Sequence, residues 1–246
     1  MYSNQAAYRI RLGWGRAGLE YLAKAEATVI IDVLSFTTSV DIAISRGAVV
    51  HPYAWRDNRA ERFAFEQGAS LARARGERGF SLSPASLVDI ESGTKLVLPS
   101  PNGSSLSALA AGSSHVIAAC LRNASAVASY CDQFESLALI PAGERWEDGS
   151  LRPALEDLLG AGAVIAALQG ELITSLSPEA ETAKHTFTLF QDRLQETLMA
   201  CASGLELSDR GYSRDVILAA AHDSSTAVPL LKNGQYKNWR HDQSGH

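Results

Sequence analysis

The chain is poor in the features that mark the easily recognised protein classes. Its three cysteines, Cys120, Cys131 and Cys201, are scattered and odd in number. That excludes a disulfide framework and, with no Cys-x-x-Cys, offers no zinc site. Each lies among apolar neighbours, where a small buried side chain is the simplest reading. No apolar run reaches the roughly 18 residues of a membrane span. Residues Met1–Arg11 are polar and mixed in charge, unlike a secretory leader. Basic residues number 22 against 27 acidic ones, for a net charge of −5. No positive field therefore recruits nucleic acid or an anionic membrane. A Gly-x-Ser-x-Gly elbow is missing, and the one Gly-x-Gly-x-x-Gly spacing, Gly13-Trp14-Gly15-Arg16-Ala17-Gly18, is read as lying in the wrong context for a dinucleotide fingerprint. The expectation is a cytoplasmic protein.

What is present is a core-forming composition, 46% hydrophobic and 20% charged. Ala27–Leu34 is a continuous apolar run, as in a strand buried on both faces. Short strands are expected at Tyr8–Leu12, Ala48–His51, Lys95–Pro99, His115–Ala119 and Leu137–Ile140. Helices are expected at Gly18–Lys24, Thr37–Ser45, Arg56–Arg75, Ser104–Ala111, Ala124–Cys131 and Pro153–Leu168. This alternation predicts an α/β fold, a mostly parallel sheet with crossover helices. The last third changes character. Pro178–Ser203 and Arg214–Ala221 read as helices, and no strand is expected after Ile165. The organisation is one α/β domain over 1–231, mainly helical from 170, with a polar tail over 232–246.

In open α/β sheets ligands bind beyond the carboxyl ends of the strands. The segments there, Asp32–Thr38, Ser100–Ser105, Cys120–Asn123 and Pro141–Asp148, are rich in Asp, Glu, Asn, Ser and Thr. Asp32 interrupts an apolar strand, and a charge there is expensive unless paired or metal-bound. It reads as a metal ligand or nucleophile, or else as a structural ion pair. Thr37 and Thr38 hold phosphate oxygens or cap a helix. Asn102-Gly103-Ser104 is an anion cradle or a plain turn. Gly76-Glu77-Arg78-Gly79 offers Arg78 for a bidentate oxyanion contact, or closes the preceding helix. Asn123 is most simply a helix cap. The densest stretch, Ile140–Ile165, crowds Glu144, Glu147, Asp148, Glu156 and Asp157 with Arg145 and Arg152 around one turn. Glu147 and Asp148 read as solvated turn residues, Glu144 as a residue at the mouth of a site. Glu156 and Asp157 are the stronger candidates for chemistry.

Taken in order, these segments resemble the 2-phosphosulfolactate phosphatase family. The motifs are Ile30-Ile31-Asp32-Val33-Leu34 with Thr37-Thr38, Gly76-Glu77-Arg78-Gly79 with Ser83-Pro84, and Asn102-Gly103-Ser104. Asn123–Val127, Ala142-Gly143, the Glu156–Ala163 helix, Asp215 and Val228-Pro229 complete the set. The resemblance spans Ile30 to Pro229. It implies a magnesium-dependent hydrolase acting on a small anionic organophosphate in the coenzyme M pathway. It implies catalytic roles for Asp32, Glu77 and Arg78. Substrate contacts fall to Thr37, Thr38, Asn102, Gly103, Ser104, Asn123 and Glu144, and Mg²⁺ ligands to Asp32, Glu156 and Asp157. Metal-bound water and a carboxylate both remain open as nucleophile. The reading needs no nucleic acid or membrane and is compatible with a homo-oligomer. Two departures stand out: Ser35-Phe36 replaces an Arg-Ala pair, and Ser100-Pro101 replaces threonines. The alternatives are turnover of a different phosphorylated hydroxy acid, and non-catalytic metabolite binding on the same scaffold.

Overall fold

The computed structural model describes residues 2–22, 24–55, 57–112 and 115–239. The protein is built on a nine-stranded sheet in the order β1-β7-β2-β6-β10-β11-β3-β5-β4. The strands are β1 (Ile10–Leu12), β2 (Ala27–Ile31), β3 (Val49–Tyr53), β4 (Ser70–Leu71), β5 (Lys95–Pro99), β6 (His115–Ala119), β7 (Leu137–Pro141), β10 (Pro229–Lys232) and β11 (Gln235–Asn238). A separate two-stranded ribbon pairs β8 (Glu144–Arg145) with β9 (Leu151–Arg152). The α/β expectation holds, with a mostly parallel sheet and several helices in the C-terminal half.

The sheet is two parallel blocks, β1-β7-β2-β6 and β3-β5-β4. The β10–β11 hairpin sits between them, antiparallel to β6 on one side and to β3 on the other. Three successive antiparallel contacts mean that the two blocks run in opposite directions. This corrects the expectation that no strand follows Ile165. It also corrects the boundary of the polar tail: Gln235–Asn238 are a central strand, and Tyr236 is fully buried. Residues 240–246 of that tail lie outside the described residues.

The helices are α1 (Gly15–Tyr21), α2 (Phe36–Ser45), α3 (Asn58–Gln67), α4 (Gly103–Ala110), α5 (Ala124–Cys131), α6 (Leu155–Ala167), α7 (Pro178–Phe190), α8 (Leu194–Ala200), α9 (Ala202–Asp209) and α10 (Ser213–Ala219). The long helix expected at Arg56–Arg75 is shorter, and Arg56 lies outside the described residues. Asp57 caps α3 through Arg59 N and Ala60 N, and Gly68 ends it at φ +58°, a backbone angle glycine adopts without strain. The helix expected over Pro178–Ser203 breaks into α7 and α8 around a 3₁₀ turn at Gln191–Arg193, and α9 follows. Pro153 stands outside α6, whose extended N-cap is Ala154.

Helix α2 is buried from Phe36 to Ile44. Phe36 packs on Tyr236 with ring centroids 6.2 Å apart, and Ser107 of α4 meets the Tyr236 hydroxyl at 2.8 Å. The hairpin thus braces both helices that begin at the site. The glycines of α6 serve close packing: a Cβ on Gly162 would fall 2.1 Å from the Ala183 carbonyl of α7. Among the described residues, no helix is long and apolar enough to cross a membrane.

Candidate active site

Strand β2 ends at Ile31, and Asp32 is the first residue beyond it. The chain then turns into α2, with Thr37 N bonding the Asp32 carbonyl. Asp32 is 5% exposed. Its Oδ1 accepts from Phe36 N at 3.2 Å and its Oδ2 from Gly103 N at 2.8 Å. The starts of α2 and α4 therefore both aim backbone N–H groups at one carboxylate, where helix dipoles favour negative charge. Gly103 is sterically required: a Cβ there would lie 2.3 Å from the Phe36 ring and 2.8 Å from Asp32 Oδ2. Burial nonetheless pushes the Asp32 carboxyl above its ordinary range. The two N–H groups and Arg75 oppose that shift, while the charge of Glu156 adds to it.

Asp157 and Glu156 open α6 and divide their work. Asp157 accepts from Val33 N at 2.7 Å and from Gly143 N at 2.9 Å. Both its oxygens tie the loops after β2 and β7 together. Burial, then the charges of Asp32 and Glu156, hold its carboxyl well above the usual range. Glu156 is 2% exposed. It lies against the Cys201 thiol, which burial and this carboxylate push up to about 12. Glu144, on β8, accepts from Asn102 Nδ2 at 2.9 Å. Burial, then the charge of Asp32, raises its carboxyl to about 7.

The positive charge comes from Arg75. Its Nη1 donates to Asp215 at 2.7 Å, and its Nη2 donates to Ser35 Oγ at 2.7 Å and to the Leu82 carbonyl at 3.1 Å. The guanidinium lies 5.4 Å from the Tyr212 ring centroid. Asp215 is fixed in turn by Ser83 Oγ and Ala85 N. These groups enclose a cleft of about 160 Å³, lined by Asp32, Ser35, Arg75, Ser100, Asn102 and Glu144 on one side and by Ser203, Glu206 and Arg210 of the α9 region on the other.

The structure thus gathers Asp32, Asn102, Gly103, Glu144, Glu156 and Asp157 in one place. It separates others. Thr37 and Thr38 direct their hydroxyls to the carbonyls of Asp32 and Val33, and Ser104 bonds the Leu98 carbonyl. All three are fully buried and brace the backbone instead of facing a substrate. Asn123 is also fully buried. It bonds Cys120 N and the Ala118 and Ala227 carbonyls, and its side chain does not cap α5. Glu77 and Arg78 are exposed on the turn and do not line the cleft. Arg75, three residues earlier, takes the place expected for Arg78. Ser35 and Ser100, both within segments expected at the site, line the cleft, whereas Arg210 was not foreseen. Glu147 and Asp148 are exposed, as expected of turn residues.

Among the described residues, no three His, Cys, Asp or Glu side chains converge as a ready ligand cage. Both oxygens of Asp157 accept backbone N–H groups, as do both of Asp32, and each keeps a second lone pair. The donor set of Asp32, Glu156, Asp157 and Glu144 is all oxygen, largely buried and mutually repelling. That chemistry fits a hard cation held by one or two carboxylates with water completing the shell, which is how Mg²⁺ is commonly bound.

A buried carboxylate at a strand end, two helix N-termini and a clamped arginine around a small polar cleft suit a phosphoric monoester hydrolase of α/β architecture, the class in which comparison with known proteins places the chain. The chain belongs to the 2-phosphosulfolactate phosphatase family, whose model matches residues 18–234. It is similar to a probable 2-phosphosulfolactate phosphatase of Carboxydothermus hydrogenoformans, 30% identical over 84% of this chain and 87% of that one. A probable 2-phosphosulfolactate phosphatase of Thermotoga maritima is 28% identical, covering 87% of this chain and 92% of its own. The 2-phosphosulfolactate phosphatase of Methanocaldococcus jannaschii is 25% identical, covering 85% and 90%.

Proposed function

We propose that this chain hydrolyses 2-phospho-3-sulfolactate to 3-sulfolactate and phosphate with Mg²⁺ bound at Asp32 and Glu156. The observation that carries the reading is the pairing across one cleft of the buried Asp32 with the immobilised Arg75. When bound, Mg²⁺ neutralises charge on the phosphoryl oxygens and orients the ester. Arg75 has three of its five N–H donors engaged by Asp215, Ser35 and Leu82. The remainder serve an oxyanion without reorganisation, because Asp215 and Ser83 already fix the guanidinium. Arg210, exposed and paired with Glu206 at 3.0 Å, stands at the same cleft as a second guanidinium. Glu144, raised to about 7 in the metal-free protein chiefly by burial, is partly protonated at neutrality beside the cleft. It is the group suited to deliver that proton to the departing alkoxide. The attacking group is a water or the Asp32 carboxylate.

Phosphate release from 2-phospho-3-sulfolactate, measured with Mg²⁺ and again with excess EDTA, tests the reading. Metal-dependent release is expected. Absence of release from this ester and from a panel of other phosphorylated hydroxy acids would overturn it. The panel also addresses a second reading, turnover of a different hydroxy-acid phosphate. That reading is favoured by Ser35, which accepts a bond from Arg75 at the position where the family resemblance implies an arginine.

A further inference from the structure

The Asp32 cleft shares a wall with a larger cavity of about 460 Å³. Pro101, Asn102 and Glu144 line both. Beyond that wall the character changes. The sides are Trp14, Trp55, Leu106, Leu109 and Leu151, and Arg16 and Arg145 stand among the lining residues. The volume falls within the range of about 300–1,000 Å³ usual for small-molecule sites, which combine apolar walls with a few polar groups. Trp55, Leu109 and Leu151 are 56%, 45% and 40% exposed. Apolar surface gathered in this way marks a place that something covers. Gly143, at φ +67°, sets the backbone beside Leu151 and Trp14 of this cavity. A Cβ there would press to 2.8 Å from Leu151 and 2.9 Å from the Arg152 carbonyl, and it would stand 3.5 Å from the Trp14 ring.

We propose that this cavity is a second substrate subsite, taking the planar apolar part of a phosphate monoester whose phosphoryl group sits at Asp32. The inference rests on the phosphatase reading above and widens it, since a three-carbon sulfonate leaves the cavity unfilled. The occupant is an aryl or similarly flat group, because indoles favour planar partners. Asn102 marks the junction. Its side-chain amide holds Glu144, so the ester oxygen lies where the polar cleft gives way to the tryptophans.

The test compares 1-naphthyl phosphate with 2-phospholactate. In Trp55→Ala, the ratio of kcat/KM for the naphthyl ester to that for the hydroxy-acid ester is expected to fall about tenfold. Trp55 is largely exposed, so the variant should fold; Trp14→Leu provides an independent second variant. An unchanged ratio in both variants overturns the subsite. A binding arm separates this from failure of the parent reading. With Mg²⁺ present, calorimetry on Asp32→Asn and on the Asp32→Asn, Trp55→Ala double variant should show naphthyl phosphate bound about tenfold more weakly by the double variant. That result, with no ester hydrolysed by the wild type, would sustain the subsite while removing the proposed reaction. Equal binding by the two variants would remove the subsite.

Discussion

Helix α2 separates two buried aspartates that meet opposite fates. Asp41, inside the helix, is fully buried. It takes the Arg122 Nε at 2.8 Å and the Ser225 hydroxyl at 2.6 Å. Burial raises its carboxyl, and every other influence on it is favourable to the charge. Asp32, just before the helix, faces Glu156, and Glu144 in turn feels the charge of Asp32. The nearest cation, Arg75, is committed to Asp215. A charge whose field is closed locally is a joint. One left open toward a cleft attracts a cation and an anionic substrate. Burial alone does not tell the two apart, and the sign of the neighbours does.

The sharpest break in this contrast is Asp32→Asn. Turnover should fall by about 10³-fold or more, as when a group stabilising the transition state is removed. The circular dichroism should stay that of a folded protein. Wild-type turnover in a folded variant would remove Asp32 from the chemistry. Next comes Arg122→Ala, which strands the Asp41 charge. Stripping one partner from a buried pair costs about 3–5 kcal/mol. Denaturant unfolding should show that loss, while kcat per folded molecule stays near wild type. A third comparison sets two arginines against each other. Arg75→Lys keeps the charge but loses the planar fork, and should cost about tenfold in kcat/KM, mostly through KM. Arg78→Ala should cost less than about twofold, within the range of surface changes. The reverse order would return Arg78 to the site.

The smallest effect is a pH dependence. Glu144 titrates at 4.5 in the unfolded chain and at about 7 in the folded one, so across that window the folded state holds more protons. Stability of the metal-free protein should therefore fall as pH rises from about 5 to about 8, and Asp32 and Asp157, also raised, push the same way. Each kcal/mol corresponds to about 2–4 °C in Tm for a chain of this size. Mg²⁺ should recover more of that Tm at the alkaline end than at the acid end. A metal effect independent of pH would argue that the ion binds away from these carboxylates.

The sequence makes the parallel part of this molecule readable because its buried strands are unbroken apolar runs. Ala27–Ile31 and His115–Ala119 are strands as their composition suggests, and the expense of a charge at Asp32 singles it out. The hairpin was missed because its strands are short and mixed, Pro-Leu-Leu-Lys and Gln-Tyr-Lys-Asn. The turn between them did carry a signal. Asn233 and Gly234 both have positive φ, 52° and 74°, the requirement that makes Asn-Gly a hairpin turn. Arg75 was hidden for a different reason. Helical periodicity absorbs Arg73 and Arg75 into α3, whereas Gly68 ends the helix and leaves Arg75 on an irregular turn. Its partner Asp215 lies 140 residues away, a distance no local pattern bridges.

The central hairpin also sets a timetable. Strands β6 and β3 are each other's near neighbours only through residues 229–238, among the last of the described chain to be synthesised. Until those residues leave the ribosome, two parallel blocks wait with open inner edges, and open edges invite pairing with other chains. Contacts this distant in sequence slow folding. Phe36, which lies beside Asp32, gains its packing against Tyr236 at the same moment. The cleft is therefore finished only when the sheet is closed, so a partly made chain would carry the Asp32 carboxylate without the brace behind its neighbour Phe36.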